Sequence, residues 1–140
     1  MNFAFTYFQY NANAFCTKDQ YPYKAVEGTC TPTKCTDGPI DKGFVNITLG
    51  DEAAVLKALV DGPVSVEVVS SSWTFYLGGI LNSCGTAIDY GVTLIKSNSA
   101  EESVTIRNSW GSKWGENELT RLAAKKGMCG YTLAASYPTF

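Results

Sequence analysis

The sequence predicts an α+β protein with a helix early in the chain and an antiparallel sheet or barrel after it. Two observations support this prediction. The run GDEAAVLKALVDGP consists mostly of good helix formers, with Asp51 as a candidate N-cap and Gly62-Pro63 as its end. From Pro63 onward the chain changes to short β-branched stretches bounded by Ser, Gly and Asn, which are typical of strands.

The elements are predicted in chain order as follows. Residues 3–10 are dense in aromatics whose spacing fits a helix or a strand, and we favour a short helix. Residues 11–49 carry three prolines, three cysteines and several glycines, so we expect an irregular segment that is stapled by sulfur. The predicted strands lie in PVSVEVV, YGVTLIKS and ESVTIRNSW, with two more in the tail ELTRLAAKKGMCGYTLAASYP.

The composition limits the classes of function. The 140 residues are 45% hydrophobic and 17% charged, which fits a globular protein and excludes a disordered one. The net charge of −2 includes no run of Lys or Arg, so we expect neither nucleic acid nor a membrane surface as partner. The cysteines lack a CxxC spacing and the sequence has no histidine, so we expect no metal and no cofactor.

The cysteines also predict the compartment. Five cysteines, together with the sequon Asn46-Ile47-Thr48, favour an oxidising location such as the extracellular space or the secretory or lysosomal lumen. Asn46 is therefore a candidate glycosylation site. The alternative is that the sequon is a chance match and the cysteines are buried thiols. The first residues lack the features of a signal peptide, which leads us to expect a segment upstream.

Four motifs of the second half of the chain are informative together: WTFYLGGI, CGTAIDYGV, RNSWGSKWGE and CGYTLAASYP. In their order and spacing they resemble the C-terminal half of a papain-like cysteine peptidase of the cathepsin family, and the similarity extends from Phe3 to Pro138. The resemblance implies a papain-like antiparallel β-barrel domain at residues 50–140. It also implies that residues 1–49 combine a remnant of the helical-domain side with the irregular cysteine segment.

The resemblance assigns the former catalytic positions. Asn108 matches the Asn that orients the catalytic His, Trp110 matches the indole that shields it, and Asp89 precedes the His position, which Tyr90 occupies. The 140 residues contain neither a histidine nor the nucleophile motif nor the upstream oxyanion Gln. An imidazole exchanges its proton near neutral pH, whereas a phenol does not. We therefore predict that this is a degenerate peptidase and not an enzyme.

The resemblance also implies one disulfide and leaves another open. Cys84 and Cys129 match a pair that is bridged in the family. Cys30 matches a family cysteine whose partner lies upstream of this sequence. It therefore pairs with Cys16 or Cys35, stays free, or bonds to another chain, and one of these three cysteines is left over.

Some residues near the former cleft have two interpretations. Glu67 matches a pocket-lining position, with Ile88 and Asp89 close by in the family, and this allows a negatively charged pocket. Glu67 also fits a solvated strand residue, which we favour. Three aromatic residues are expected in the core: Trp73, Phe75 and Tyr76.

The missing half of the family fold suggests a function. Loss of the helical domain would leave an apolar surface, which we expect to bind a protein partner or further copies in an oligomer or filament. The first hypothesis is thus a non-catalytic, secreted structural or interaction protein. The alternatives are the C-terminal chain of a processed papain-like protease, and a pseudo-peptidase that binds peptides or inhibitors.

Overall fold

The computed structural model describes residues 1–11, 14–24, 26–29, 35, 38–125 and 127–140, and within them helices and strands alternate with turns and irregular segments. The α+β class predicted from the sequence is confirmed. In chain order the elements are α1 (Asn2–Asn11), β1 (Gly43–Asn46), α2 (Glu52–Asp61), β2 (Val64–Val68), β3 (Ile80–Leu81), β4 (Tyr90–Asn98), β5 (Ser103–Arg107), β6 (Leu119–Ala123), the 3-10 turn η1 (Met128–Gly130) and β7 (Ala135–Thr139).

These elements belong to two units. The first comprises Met1–Val45 together with Pro138–Phe140, and the second comprises Asn46–Tyr137. The predicted short helix at the N-terminus is present as α1 in the first unit. No helix of the described residues is long and apolar enough to cross a membrane.

Aromatic contacts hold the first unit together. The rings of Phe8 and Phe15 lie 4.1 Å apart between their centroids, and those of Phe5 and Phe44 lie 5.7 Å apart. Each pair joins α1 to a more C-terminal segment of the same unit. Such contacts add about 0.5–1.5 kcal/mol per pair to the burial of the rings.

The second unit contains the sheet that positions the candidate site. Its strands follow the order β7-β2-β4-β5-β6-β3, and neighbours are antiparallel except for β3 and β6, which are parallel. On β2 the residues alternate between buried and half-buried, as expected for a strand with one face on the core. Fully buried side chains of this core are Val55, Val64, Val66, Val68, Trp73, Leu94, Val104, Ile106, Leu122 and Tyr131.

Helix α2 begins and ends where the sequence predicts. The Oδ1 atom of Asp51 accepts a hydrogen bond from the backbone N of Ala54 at 2.9 Å, and the helix stops at Asp61, directly before Gly62. Val55 is its fully buried residue. The helix therefore packs on the sheet core through this side of its surface.

Two strands and one side chain differ from the prediction. Strand β1 lies in the segment that we expected to be irregular, and the two-residue strand β3 was not predicted. Both are short and depend on partners far away in sequence, so they leave no local periodicity. Phe75 was expected in the core but is 90% exposed, whereas Trp73 and Tyr76 are buried as predicted.

Candidate active site

Tyr90, which matches the position of the catalytic His, starts strand β4. Its hydroxyl lies 2.9 Å from the Oγ atom of Ser109, and either oxygen can donate the hydrogen bond. The ring centroid of Tyr90 lies 5.5 Å from that of Trp110. Tyr90 thus contacts both residues that follow Asn108 in the motif Asn-Ser-Trp.

Asn108 directly follows β5 and is only 4% exposed. Its backbone N donates to the carbonyl oxygen of Glu118 at 2.9 Å, and its Oδ1 atom accepts from the backbone N of Ser109 at 2.7 Å. The Nδ2 atom is buried and has no hydrogen-bond partner among the residues that the structure describes. Buried donors normally have a hydrogen-bond partner, so the Nδ2 atom of Asn108 lacks a bond that such groups usually make.

Trp110 stands in a row of three indoles. It is 39% exposed, and its ring meets that of Trp114 edge-on, with centroids 4.9 Å apart. Trp114 lies near the fully buried Trp73, to whose carbonyl oxygen its Nε1 atom donates at 3.2 Å. Trp110 is therefore anchored to the core through Trp114 while one part of its ring stays open to solvent.

The two strands that carry the site diverge beside it. Strands β4 and β5 are paired up to Thr93 and Arg107. Beyond this pair β4 continues against β2, whereas the backbone of Asn108 bonds to the turn before β6. The hydrogen bond between Tyr90 and Ser109 joins the two segments beyond the point of divergence. The gap between the pair Thr93–Arg107 and the pair Tyr90–Ser109 is called the β4–β5 fork.

The two acidic residues of the predicted pocket have different environments. Asp89 is exposed, and its Oδ1 atom accepts from the backbone N of Ser70 at 2.7 Å, while its own N donates to the carbonyl of Val68 at 3.1 Å. Glu67 is half-buried on β2, in register with Gly91 of β4. The carboxylate of Asp89 therefore fixes the chain after β2. The solvated strand residue that we favoured for Glu67 and the alternative of a charged pocket both stay untested.

The cysteines among the described residues form two disulfides. The structure joins Cys84 to Cys129 and Cys16 to Cys35, each with Cα atoms 5.2 Å apart. Cys30 lies outside the described residues. Asn46, the candidate glycosylation site, is exposed at the end of β1.

The cluster of Tyr90, Asn108, Ser109 and Trp110 offers an amide, two hydroxyls and an indole. These groups can orient and hydrogen-bond a polar substrate. None of them is an imidazole, since the 140 residues contain no histidine. In the described part of the chain, no three His, Cys, Asp or Glu side chains gather in a way that could hold a metal ion.

Ser109 is the residue of this cluster that the sequence analysis did not single out. It lies between Asn108 and Trp110 in the Asn-Ser-Trp motif, so its nearness to the site could have been predicted. Its bond to Tyr90 depends on how β4 and β5 are aligned, and this alignment is not readable from the motif.

The profile of the family described as "Papain family cysteine protease" matches residues 1–139. The chain belongs to the papain family. Among papain-family relatives, a senescence-specific cysteine protease, SAG39, of Oryza sativa subsp. indica is 38% identical in an alignment 133 positions long, which covers 88% of this chain and 39% of that protein. Vignain of Ricinus communis is 35% identical in an alignment 149 positions long, which covers 99% of this chain and 41% of that protein.

The papain-family fold is also seen in solved structures. The bromelain protease from Ananas comosus, in complex with the E64 inhibitor, superposes with a TM-score of 0.85 at 28% identity and covers 98% of this chain and 67% of that one. The chain spans about two fifths of the length of the curated relatives it matches, at 39% and 41%.

The prediction that the chain is not an enzyme is wrong. The relatives to which this papain-family chain is similar are named as proteases, among them SAG39 and bromelain. The prediction relied in part on the nucleophile motif and the upstream Gln, and these 140 residues match only about two fifths of each relative. Their absence from this segment therefore says little about the complete protein, whereas the His position lies inside the segment and holds Tyr90.

Proposed function

We propose that this chain forms the C-terminal part of a papain-like cysteine protease, and that the complete protein hydrolyses peptide bonds. The supporting observation is the cluster in which Tyr90 bonds to Ser109 beside Asn108 and Trp110. The named protease relatives favour this function over the structural role placed first by the sequence analysis. A secreted, vacuolar or lysosomal location is part of the proposal, and the two disulfides support it.

In the proposed reaction a cysteine thiolate in the rest of the protein attacks the carbonyl carbon of a peptide bond. A sulfur–carbon bond forms, the carbon–nitrogen bond breaks, and the amine leaves with a proton. Water then cleaves the thioester and releases the second product as a carboxylic acid. The nucleophile is assigned to the rest of the protein because the family's nucleophile motif does not occur in these 140 residues.

Within this proposal Tyr90 stands at the position of the family's general base and is linked to Ser109. The hydroxyl pair of these residues is the group on this side of the site that can pass a proton or donate a hydrogen bond to the leaving amine. A phenol exchanges protons near neutral pH less readily than an imidazole, so we expect slow turnover. Asn108 and Trp110 position this pair.

The test is a peptidase assay of the full-length protein on a mixed pool of fluorogenic peptides, with a reducing agent, at pH 5 and pH 7. We expect the wild type to hydrolyse the peptides and Tyr90→Phe to hydrolyse them more slowly than the wild type. Tyr90→His should be faster than the wild type by about a hundredfold, the typical gain from a positioned general base. Tyr23→Phe is the matched control because Tyr23 is 89% exposed. Circular dichroism confirms that each variant is folded.

One result would contradict the proposed protease function, and a second would contradict only the role of Tyr90. Turnover by Tyr90→His without any turnover by the wild type would show that the natural protein is not a protease. Equal rates for the wild type and Tyr90→Phe would remove Tyr90 from the reaction, although the protease function would stand.

A further inference from the structure

The sequon Asn46-Ile47-Thr48 is a motif that the proposed function does not use. It is the one Asn-x-Ser/Thr triplet in the 140 residues, and its middle residue is not proline. Such a triplet is the acceptor for N-linked glycosylation, in which the asparagine provides the linking nitrogen and a hydroxyl residue is required at the third position. Because three-residue motifs also occur by chance, the surroundings of the triplet in the folded chain are the next evidence.

The two residues of the sequon that the modification needs are both open to solvent. Asn46, the last residue of β1, and Thr48 are exposed, whereas Ile47 between them is half-buried and packs against the hydrophobic core. This alternation is that of an extended segment with one face on the core. The opposite alternation would put Asn46 against the core, where no glycan fits.

The chain after the sequon leaves room for a large group. Residues 48–51 are all exposed, and a methyl group added to the Cα atom of Gly50 would have no neighbour within 4 Å. The backbone is held in place on both sides of this stretch. The backbone N of Ile47 donates to the carbonyl oxygen of Ala135 at 2.9 Å, and that of Gly50 donates to the carbonyl oxygen of Thr132 at 2.8 Å. A glycan, which is bulky and stays in water, can therefore extend from an ordered segment without displacing protein atoms.

The sequon lies away from the candidate active site. Ala135, to which Ile47 bonds, is in register with Val66 of β2, and Val66 is in register with Val92 of β4. Strands β7 and β2 therefore lie between the sequon and the strand that begins at Tyr90. Since neighbouring strands are about 4.8 Å apart, these three steps place the attachment point roughly 14 Å from β4 along the sheet.

We propose that Asn46 carries an N-linked glycan. The co-substrate is an oligosaccharide joined through a diphosphate to a lipid carrier. The Nδ2 atom of Asn46 forms a bond to C1 of the first sugar and loses one proton, while the bond from C1 to the diphosphate oxygen breaks and the lipid diphosphate leaves with that electron pair. This reaction belongs to the secretory pathway, so the inference rests on the location included in the proposed function. The two disulfides form in the same compartment.

The experiment is peptide mapping by mass spectrometry of the full-length protein expressed in eukaryotic cells. Trypsin cuts after Lys42 and Lys57 and releases residues 43–57, in which Asn46 is the sole asparagine. We expect this peptide to carry the mass of a glycan, and a peptide N-glycosidase in ¹⁸O-water to convert Asn46 to an isotope-labelled aspartate. Asn46→Gln and Thr48→Val should lose the glycan. Thr48→Ser is the matched control, because it keeps the hydroxyl and should keep the glycan.

Three outcomes would overturn the inference. An unmodified peptide from protein in which the bridge between Cys84 and Cys129 has formed shows an oxidising compartment without a glycan at Asn46, and the proposed location then stands. An unmodified peptide together with reduced cysteines contradicts the location as well. A mass increase that persists in Thr48→Val shows a modification that does not depend on the sequon. Peptidase activity is measured separately, and none of these outcomes changes it.

Discussion

The carboxylate of Glu116 accepts two hydrogen bonds from the guanidinium of Arg121, at 2.9 and 2.8 Å. Its Oε1 atom also accepts from the backbone N of Gly79 at 2.8 Å, so Glu116 links β6 to the segment just before β3. The hydrogen bonds from Arg121 lower the pKa of Glu116 from its ordinary value. The paired carboxylate therefore stabilises the edge of the sheet.

Glu116→Gln should lower the free energy of unfolding at neutral pH and reduce its dependence on acid. A lowered pKa in the folded state means that the ionised side chain contributes stability above its unfolded pKa of about 4.3, and that this contribution is lost as the pH falls through the folded pKa. Urea denaturation at pH 7 and pH 3 measures both effects. Glu101→Gln is the control, because Glu101 makes one longer contact with Arg121, at 3.3 Å.

Tyr131→Phe should remove a loss of stability in alkali. The Tyr131 hydroxyl donates a hydrogen bond to Glu52. Burial is the larger cause that raises the pKa of Tyr131 above its ordinary value, and this hydrogen bond is the second. Because the folded state keeps the proton when the unfolded state loses it, stability falls as the pH rises above about 10. Unfolding curves recorded between pH 9 and pH 11 should show that the free energy of unfolding depends less on pH in the variant than in the wild type. Tyr10→Phe, at a position that is 82% exposed, should behave as the wild type.

Asp51→Ala should lower the free energy of unfolding by about 1 kcal/mol, the usual cost of losing an N-cap side chain. The substitution removes the hydrogen bond that the backbone N of Ala54 donates to Oδ1 of Asp51. Asp51→Ser keeps an acceptor and should recover most of the loss. Denaturation at fixed pH measures both variants. If the serine variant loses as much as the alanine variant, the cap is not the cause.

Replacing Cys84 and Cys129 together by serine should lower the free energy of unfolding by about 4 kcal/mol, since the bridge closes a long loop with a sequence separation of 45. The same change at Cys16 and Cys35, with a separation of 19, should cost less. Thermal melts under non-reducing conditions compare the two. Peptide mapping of the unreduced wild type should recover both bridges with Cys30 in neither. A bridge from Cys30 to any of these four cysteines would contradict the assignment.

Local signals predicted the parts of the fold that local interactions hold. Helix α2 has a cap, a run of helix formers and a Gly-Pro end, and all three act within a few residues. Strand β2 has enough alternating valines to show its period. Strands β1 and β3 form only because distant segments supply their partners, so nothing in their own few residues predicts them.

Three of the four members of the candidate site were predictable, but their contacts were not. The motifs containing Tyr90, Asn108 and Trp110 identified residues that the sheet does bring together. The bond between Tyr90 and Ser109 and the β4–β5 fork beside it arise where β4 and β5 diverge. Such a divergence depends on strand register and on the turn before β6, which a motif does not encode.

The bridge between Cys84 and Cys129 encloses Tyr90, Asn108 and the whole β4–β5 hairpin. A single proteolytic cut anywhere inside this loop, including the exposed hairpin turn, leaves both pieces on one covalent molecule. A nicked protein would therefore migrate as intact on a non-reducing gel and divide only after reduction. In a proteolytic environment, the bridge keeps both halves of the site together after the chain between them has been severed.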